Sequence, residues 1–292
     1  MNSSRRFFLL LFRSLCTTVA ALLICFAVLA QKPQHSSPGR ILLLPHSIVS
    51  GDRATLAVLD NNGRLTPGAT VTFSNGDRLT TDATGRALFV APLTAGTIFG
   101  SISGRPGRVP LTVVVPRGAV ATTMTVSAIP EIASLADRFE IDGSGFCGDA
   151  DANHITISGE PAFVLASSTT SLVVMPPDGL QPGRASVDLS CAKRTGPALE
   201  VVFVALSLEA DSSPLAPGVH RQLTVSVCGT TSKVRLEARN LAPDIADLAG
   251  GNPARISSSG GAENLAHFEV VGRKRGNFLI SIRLLSSATH PR

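Results

Sequence analysis

The sequence predicts an all-β fold, with several small β-sandwiches in tandem after an N-terminal signal helix. Short apolar runs with period-two alternation recur along the chain, and clusters of Gly, Pro, Asn and Asp separate them at spacings of about 8–12 residues. No amphipathic helical pattern longer than two turns interrupts this series. The chain has 292 residues, enough for two or three domains of this size. Examples of the alternating runs are Val71/Phe73, Leu111/Val113, Ile155/Ile157, Leu223/Val225/Val227 and Ile280/Ile282/Leu284.

The first thirty residues, 1–30, have the pattern of a secretory signal peptide. Three arginines form a positive n-region, residues 14–29 form an apolar h-region, and small residues lead to a predicted cleavage between Ala30 and Gln31. The alternative is an uncleaved anchor, but this apolar run is shorter than the ~20 residues that cross a bilayer. No second apolar segment of that length follows, so we predict no transmembrane segment in the mature chain. The mature protein is expected to be secreted or held at the cell envelope.

The charge distribution argues against nucleic acid as a partner. Residues 31–39 are a polar linker, and the chain after the signal has 23 basic and 21 acidic residues. Residues 122–205 hold 4 basic and 10 acidic residues, so phosphate would repel this segment. The basic pI of the whole chain therefore does not indicate DNA or RNA binding.

Residues 40–116 form the first predicted module. A strand at 53–59 ends at Asp60, a turn with Gly63 follows, and the segment 81–85 reads TDATG. Asp and Gly suit such turns because Asp bonds its own backbone and Gly accepts positive φ. This module resembles the bacterial Ig-like domains of invasin and intimin type, which implies a β-sandwich.

Residues 122–205 form the second predicted module. The segment 139–146 reads FEIDGSGF, and further strands are predicted at 154–158 and 185–190. The module resembles an IPT/TIG domain, which has an immunoglobulin-like fold. In that fold Gly143 and Gly145 allow a sharp backbone excursion, after which Phe146 can fill the core between the sheets.

Residues 206–292 form the third predicted module, which has strand patterning but resembles no family that we can name. By analogy with its neighbours we expect a third β-sandwich. Its densest charge cluster is 273–275, an Arg-Lys-Arg run between two glycines. We interpret this run as a hairpin turn kept soluble by charge, and the alternative is a contact for anionic polymers or lipid headgroups.

The sequence predicts neither an enzyme nor a cofactor. It has no nucleophile elbow, no P-loop and no dinucleotide-binding glycine pattern, and the six histidines are scattered. A triad assembled only in space remains open at this point. Asp149, Asp151 and Asn153 alternate, with Glu160 twelfth, as in an EF-hand loop. Because His154 replaces the required glycine and no helix flanks the loop, we interpret it as a solvated loop, with a weak Ca²⁺ site as the alternative.

These observations favour a non-catalytic protein with a structural, adhesive or surface-presenting role at the envelope, a role that the two family resemblances imply. The partner is an unidentified protein or surface polymer. Alternatives are an accessory module that binds glycan or envelope polymer, or a non-catalytic part of a secreted enzyme system. The chain has no Trp and no Tyr, which argues against a high-affinity carbohydrate-binding module because sugar rings stack on aromatic side chains.

Three cysteines remain after the signal. Cys147 and Cys191 both belong to the module that resembles IPT/TIG domains, each near a predicted strand end, and an exported chain meets an oxidising compartment. We therefore predict one disulfide, Cys147–Cys191, with Cys228 as a free thiol. The alternative is three reduced cysteines that act as small apolar residues.

Overall fold

The computed structural model describes residues 40–105, 107–116, 123–209, 213–285 and 288–289. The predicted signal segment, its cleavage between Ala30 and Gln31, and the linker 31–39 lie outside the described residues. Within the described part, the chain consists of β-strands and one 3-10 turn, Ala150–Ala152. No helix in this part is long and apolar enough to cross a membrane. The predicted fold class, tandem immunoglobulin-like β-sandwiches, is confirmed by the sheet topology.

The first sandwich consists of two sheets. Its strands are β1 (Arg40–Leu43), β2 (Ser47–Val49), β3 (Arg53–Asp60), β4 (Thr70–Phe73), β5 (Arg78–Thr80), β6 (Arg86–Val90), β7 (Gly96–Ile102) and β8 (Val109–Val114). One sheet has the order β1-β3-β6, and the other has the order β2-β8-β7-β4-β5 with β2 parallel to β8. This division of strands is that of the immunoglobulin fold. Alternate apolar side chains of both sheets, such as Leu56 and Val71, form the core.

The second sandwich repeats this arrangement. Its strands are β9 (Thr125–Pro130), β10 (Ile132–Ser134), β11 (Phe139–Ser144), β12 (Asn153–Ile157), β13 (Glu160–Ser167), β14 (Ser171–Met175), β15 (Gly183–Cys191), β16 (Arg194–Thr195) and β17 (Leu199–Glu209). One sheet is β9-β11-β14-β13, and the other is β13-β12-β15-β17 with β10 parallel to β17. β13 belongs to both sheets, because its start pairs with β12 and its end pairs with β14.

The glycines of the FEIDGSGF segment are required by close backbone approach. Gly145 has φ +82°, and a Cβ at Gly143 would lie 2.0 Å from the carbonyl oxygen of Thr125. The chain can then place Phe146 in the core, where this side chain is fully buried. The local role that the resemblance implied for these three residues is therefore the one the structure has.

The third sandwich begins on a strand of the second. β17 continues past Ala205 to pair with β18, and the further strands are β18 (His220–Cys228), β19 (Arg235–Asn240), β20 (Ala246–Leu248), β21 (Ala254–Ser257), β22 (Leu265–Gly272), β23 (Ile280–Leu284) and β24 (Ala288–Thr289). One sheet is β17-β18-β22-β20 and the facing sheet is β21-β19-β23. The last strand, β24, pairs with β9 of the second sandwich.

Candidate functional site

The loop between β11 and β12, with the first residue of β12, carries most of the described site residues that the sequence indicates. Cys147 in this loop and Cys191 at the end of β15 form a disulfide, with Cα atoms 5.9 Å apart, a usual separation for such a bridge. Nη2 of Arg194 lies 3.5 Å from Sγ of Cys191. Cys228 is a free and exposed cysteine on β18. The bridge ties the loop to the core of the second sandwich, while Cys228 faces solvent.

The three residues of the calcium alternative are engaged in hydrogen bonds and an ion pair with protein groups. Oδ1 of Asp149 accepts the N–H of Asp151 at 3.1 Å, and Nδ2 of Asn153 donates to the carbonyl of Asp149 at 2.9 Å. The carboxylate of Asp151 binds Arg86, and Glu160 opens β13 beyond the next turn. In the part of the chain that the structure describes, no three His, Cys, Asp or Glu side chains are placed to hold a metal ion. The loop is shaped by its own hydrogen bonds.

The first and second sandwiches meet around the side chain of Arg86, which is 8% exposed. Nη2 donates to Oδ1 of Asp151 at 2.6 Å, and Nη1 donates to the carbonyl of Val164 at 3.3 Å. The guanidinium carbon lies 5.2 Å from the ring centroid of Phe163, a cation–π contact. A buried guanidinium cannot lose its charge, so it requires such partners. Asp151, Val164 and Phe163 all belong to the second sandwich. The contacts of Arg86 therefore join the two sandwiches.

Sequence reasoning assigned no role to Arg86, although its position contained a signal. Ala87 and Phe89 on β6 face the core of the first sandwich. Arg86 alternates with them and must point to the outer face of its sheet. An outward cation next to a turn is ordinary on a surface, so only the covering sandwich distinguishes it.

Hydroxyl groups reinforce the same junction. Oγ1 of Thr55 on β3 donates to the carbonyl of Gly148 at 2.9 Å and accepts the N–H of Ala150 at 3.0 Å. Oγ of Ser168 donates to the carbonyl of Ser47 at 2.6 Å. In these bonds, side-chain hydroxyls of one sandwich pair with backbone groups of the other. If the two sandwiches separated, these groups would lose their hydrogen-bond partners.

An apolar cluster completes the contact between the first two sandwiches. It contains residues of both: Leu43, Ala57 and Leu59 from the first, and Leu165, Ala166 and Val173 from the second. The backbones also approach closely, because a Cβ at Gly148 would lie 1.9 Å from the carbonyl oxygen of Arg53. This first junction therefore combines apolar burial, a buried cation and side-chain hydrogen bonds.

The junction between the second and third sandwiches is made by backbone. β17 pairs with β15 up to Phe203 and with β18 from Ala205 onward. Val204, between them, is fully buried in the core of the third sandwich. A Cβ at Gly229 would lie 2.5 Å from the carbonyl oxygen of Phe203. This second junction is thus a continuous strand with a glycine packed against it.

Two cavities lie beside this second junction. The first cavity, of about 370 Å³, is lined by Glu140, Asp142 and Arg283, among other residues. The second cavity, of about 690 Å³, has Cys228 in its lining. Desolvation by the surrounding protein, together with the Asp142 carboxylate, raises the pKa of Glu140, although the residue keeps an exposed surface. Oδ1 of Asp142 is buried and has no hydrogen-bond partner among the residues that the structure describes. The lining hydroxyl of the first cavity, Ser134, accepts the N–H of Ala136. The first cavity therefore offers charged side chains to a ligand.

The outward face of the β21-β19-β23 sheet holds an arginine cluster that sequence reasoning missed. Glu237 on β19 is 1% exposed because arginine side chains cover it: Nε of Arg255 lies 2.8 Å from Oε2, and Nη2 of Arg283 lies 2.7 Å from Oε1. These hydrogen bonds, with Arg255 foremost, lower the pKa of Glu237 although burial opposes them. Arg239 extends the cluster along β19. The residues are far apart in sequence, so no local charge run indicated them.

The end of the third sandwich farthest from the second is formed by loops 241–245 and 273–279, and we call it the outer end. The course of β18 shows that this end is distant from the second sandwich. The last residue of β18, Cys228, pairs with Ala205 of β17, whereas its first residue, His220, pairs with Val271, just before the loop 273–279. The two loops touch, because the N–H of Leu241 donates to the carbonyl of Leu279 at 2.9 Å.

The basic run 273–275 lies on the second of these loops, and its interpretation as a hairpin turn is wrong. β22 before it pairs with β18 and β20, whereas β23 after it pairs with β19 in the facing sheet. The loop therefore crosses from one sheet to the other. Arg273 is ion-paired with Asp247, and Lys274 and Arg275 are exposed.

No protein-family model and no curated protein matches this chain. Among solved structures, it is similar to SGBP-B of a mixed-linkage glucan utilization locus of Bacteroides ovatus, described in complex with a heptasaccharide. The identity is 13%, the match covers 88% of this chain and 76% of that one, and the TM-score is 0.31. Domains 1–6 of the surface layer protein SbsC match with 13% identity over 88% and 40% of the chains, at a TM-score of 0.21. The extracellular region of plexin A4 matches with 8% identity over 90% and 29%, at 0.34.

Proposed function

We propose that this is an exported, non-catalytic protein of the cell envelope, whose tandem sandwiches hold a surface in a fixed position and present it. The signal pattern before Gln31 supports export. The Cys147–Cys191 bridge supports an oxidising location, because such bonds persist outside the cytoplasm. The partner is a protein or a surface polymer.

The observation that carries the presenting role is the buried Arg86 at the first junction. Sandwiches joined by a flexible linker would reorient freely, and contacts between them would be small and polar. Here a buried guanidinium is bound by Asp151 and Val164 of the next sandwich, beside a shared apolar cluster. Such a junction resists bending, which suits a protein that positions a surface.

The absence of catalysis is part of this proposal. In the described part of the chain, His220 and His267 sit on exposed faces of neighbouring strands, with Nδ1 of His220 2.7 Å from Glu269 and Nδ1 of His267 3.2 Å from Thr224. Neither lies in the two cavities. A protein that binds and presents a surface does not require a catalytic group.

The fixed arrangement can be tested by electron paramagnetic resonance distance measurement. Spin labels on Asn62→Cys, an exposed turn residue of the first sandwich, and on the natural Cys228 report across both junctions. We expect one narrow distance distribution that broadens in Arg86→Ala. Arg78→Ala, which removes an exposed arginine of the same sandwich, is the matched control and should leave it narrow. A broad distribution in the unmodified chain would contradict the presenting role.

The envelope location is tested by fractionation of a bacterial host that makes the full chain. The mature chain should be found outside the cytoplasm, and mass spectrometry should identify Gln31 as its first residue. An intact 1–30 segment on the exported chain would disprove cleavage, and retention of the whole chain in the cytoplasm would disprove the proposed location.

A further inference from the structure

The outer end exposes large apolar side chains on neighbouring loops. Leu241 is 57% exposed and Leu279 is 64% exposed. Asn240 and Ile280 are paired in register at the end of β19 and the start of β23. The next pair outward is Leu241 opposite Leu279, so the two side chains lie on the same face. A scattered exposed leucine is ordinary, but two adjacent ones form a patch that water solvates poorly.

Cations lie on the same strand end and loop as this leucine pair. Arg239 lies two residues before Leu241 and points to the same outward face of β19. Lys274 and Arg275 are exposed on the loop that ends at Leu279. The N–H of Arg273 and that of Lys274 donate to the carbonyl of Ile245, so this loop is held against loop 241–245. The outer end and the strand residues beside its two loops include four cations and two carboxylates: Arg239, Arg273, Lys274, Arg275, Asp244 and Asp247.

The arginine cluster extends this positive surface along the same sheet face. Glu237 holds Arg255 and Arg283 by hydrogen bonds, and both arginine side chains remain more than half exposed. Their positions are restrained before any ligand arrives, so less side-chain entropy is lost on binding. The face has donors for phosphate, which suits a flat anionic surface. The cavity of about 370 Å³ that Arg283 lines also contains the acidic Glu140 and Asp142, which would repel a small anion.

We propose that the outer end docks on an anionic lipid bilayer, with Leu241 and Leu279 entering the headgroup–acyl boundary and the cations binding lipid phosphates. This inference rests on the proposed location outside the cytoplasm. Basic residues alone hold a protein weakly on a membrane, and apolar residues alone do so as well, whereas the two together give stable attachment. An anionic polysaccharide would pair with the cations but would leave the leucine pair exposed to water.

The test is co-sedimentation of the mature full chain with vesicles of phosphatidylglycerol and phosphatidylcholine, compared with vesicles of phosphatidylcholine alone. We expect binding to the anionic vesicles only, decreasing as salt is raised. The double variant Leu241→Ser/Leu279→Ser should lose about tenfold in vesicle affinity. The double variant Lys274→Gln/Arg275→Gln should lose about tenfold in affinity for the anionic vesicles and should reduce the preference for anionic lipid, while the remaining arginines keep part of it.

Matched controls separate docking from general surface effects. Leu93→Ser removes an 86% exposed leucine of the first sandwich, and Arg64→Gln/Arg78→Gln removes two exposed cations there. Both should bind vesicles like the unmodified chain. Circular dichroism and thermal melting verify that every variant is folded.

Three outcomes would overturn the inference: no binding to anionic vesicles, equal binding to both vesicle types, or binding that all four variants retain. Retention on an anionic polysaccharide column that the leucine variant keeps, without vesicle binding, would assign the surface to a polymer. These results are independent of the fractionation experiment. A chain that binds vesicles but stays in the cytoplasm contradicts only the proposed function, and an exported chain that ignores vesicles contradicts only this inference.

Discussion

The two junctions connect similar sandwiches by different means. At the first, strand pairing among the described residues is limited to one position, Thr55 of β3 opposite Ser167 of β13, and side chains make the other contacts. Arg86 binds Asp151, and hydroxyls of Thr55 and Ser168 bind backbone groups of the opposite sandwich. At the second, β17 passes from one sandwich into the next and hydrogen-bonds within both. Side-chain contacts depend on a few specific residues. A shared strand is held by backbone hydrogen bonds, which do not depend on the identity of the side chain. Single substitutions should therefore loosen the first junction far more easily than the second.

The loop 145–153 makes this difference sharper. It is held by the disulfide at Cys147 and gives the carbonyl of Gly148, the N–H of Ala150 and the carboxylate of Asp151 to the first junction. The covalent bond within the second sandwich thus also maintains the position of groups that hold the first. The second junction has no such dependence.

The largest effect should follow removal of the disulfide. The bridge joins residues 44 apart, and in the chain-entropy model Cys147→Ala/Cys191→Ala should lower the free energy of unfolding by ~4 kcal/mol. Chemical denaturation with and without reductant measures this. The spin-label distances should also broaden, because the loop of the first junction loses its anchor.

Cys228→Ser is the matched control for the disulfide variant. It changes an exposed free thiol and should shift the free energy of unfolding by less than ~0.5 kcal/mol. Non-reducing peptide mapping provides an independent check. A peptide that links Cys228 to Cys147 or Cys191, or three free thiols, would contradict the pairing.

The two junction glycines provide a direct comparison of intermediate size. Gly148→Ala places a methyl group against the carbonyl of Arg53, and Gly229→Ala places one against the carbonyl of Phe203. Crowding of this kind costs about 1–3 kcal/mol. We expect Gly148→Ala to broaden the spin-label distances because the first junction can open. Gly229→Ala should mainly lower the melting temperature, because the shared strand cannot separate.

Gly159→Ala isolates the backbone contribution for this pair. Gly159 has φ +86° with no atom near its absent Cβ, and Gly229 has φ +102°. Gly159→Ala should lower the free energy of unfolding by about 1–2 kcal/mol because alanine disfavours a positive φ. Equal losses of stability in Gly229→Ala and Gly159→Ala would show that close packing at the second junction is unimportant. An unchanged spin-label distance distribution in Gly148→Ala would show that close packing is unimportant at the first junction.

The smallest effects should come from two carboxylates whose pKa values move in opposite directions. The pKa of Glu237 is lowered, so its ionised form stabilises the fold above its ordinary pKa of about 4.3, and this is lost as pH falls. The pKa of Glu140 is raised, so its ionisation destabilises the fold as pH rises above that value. At pH 7, Glu237→Gln should lower the melting temperature and Glu140→Gln should raise it.

Both differences should shrink at pH 3, where the carboxyl groups bind protons in the unfolded chain and increasingly in the folded one. Glu160→Gln, at the exposed start of β13, is the control and should change stability by less than ~0.5 kcal/mol at either pH. A decrease in melting temperature for Glu140→Gln at pH 7 would contradict a raised pKa of Glu140.

Local patterns predicted the elements well where one strand carried the whole signal. The alternation Ile155/Ile157 predicts the inward face of β12, and the two glycines before Phe146 predict a close backbone approach. The basic run 273–275 was misjudged because charge and flanking glycines do not show which sheet the next strand joins. The arginine cluster was missed because cross-strand register, which brings Arg255 and Arg283 to Glu237, cannot be derived from separate segments.

The sequence by itself determined the all-β class, the strand positions and the residue types of each core, because period-two burial is a local property of the chain. Only the tertiary structure decided how the sandwiches are joined and what their surfaces offer. Arg86 and Asp151 are 65 residues apart, and Leu241 meets Leu279 only after β19 and β23 have paired. Contacts of this kind depend on the packing of whole sheets, so the junctions and the outer end exist only in the folded chain.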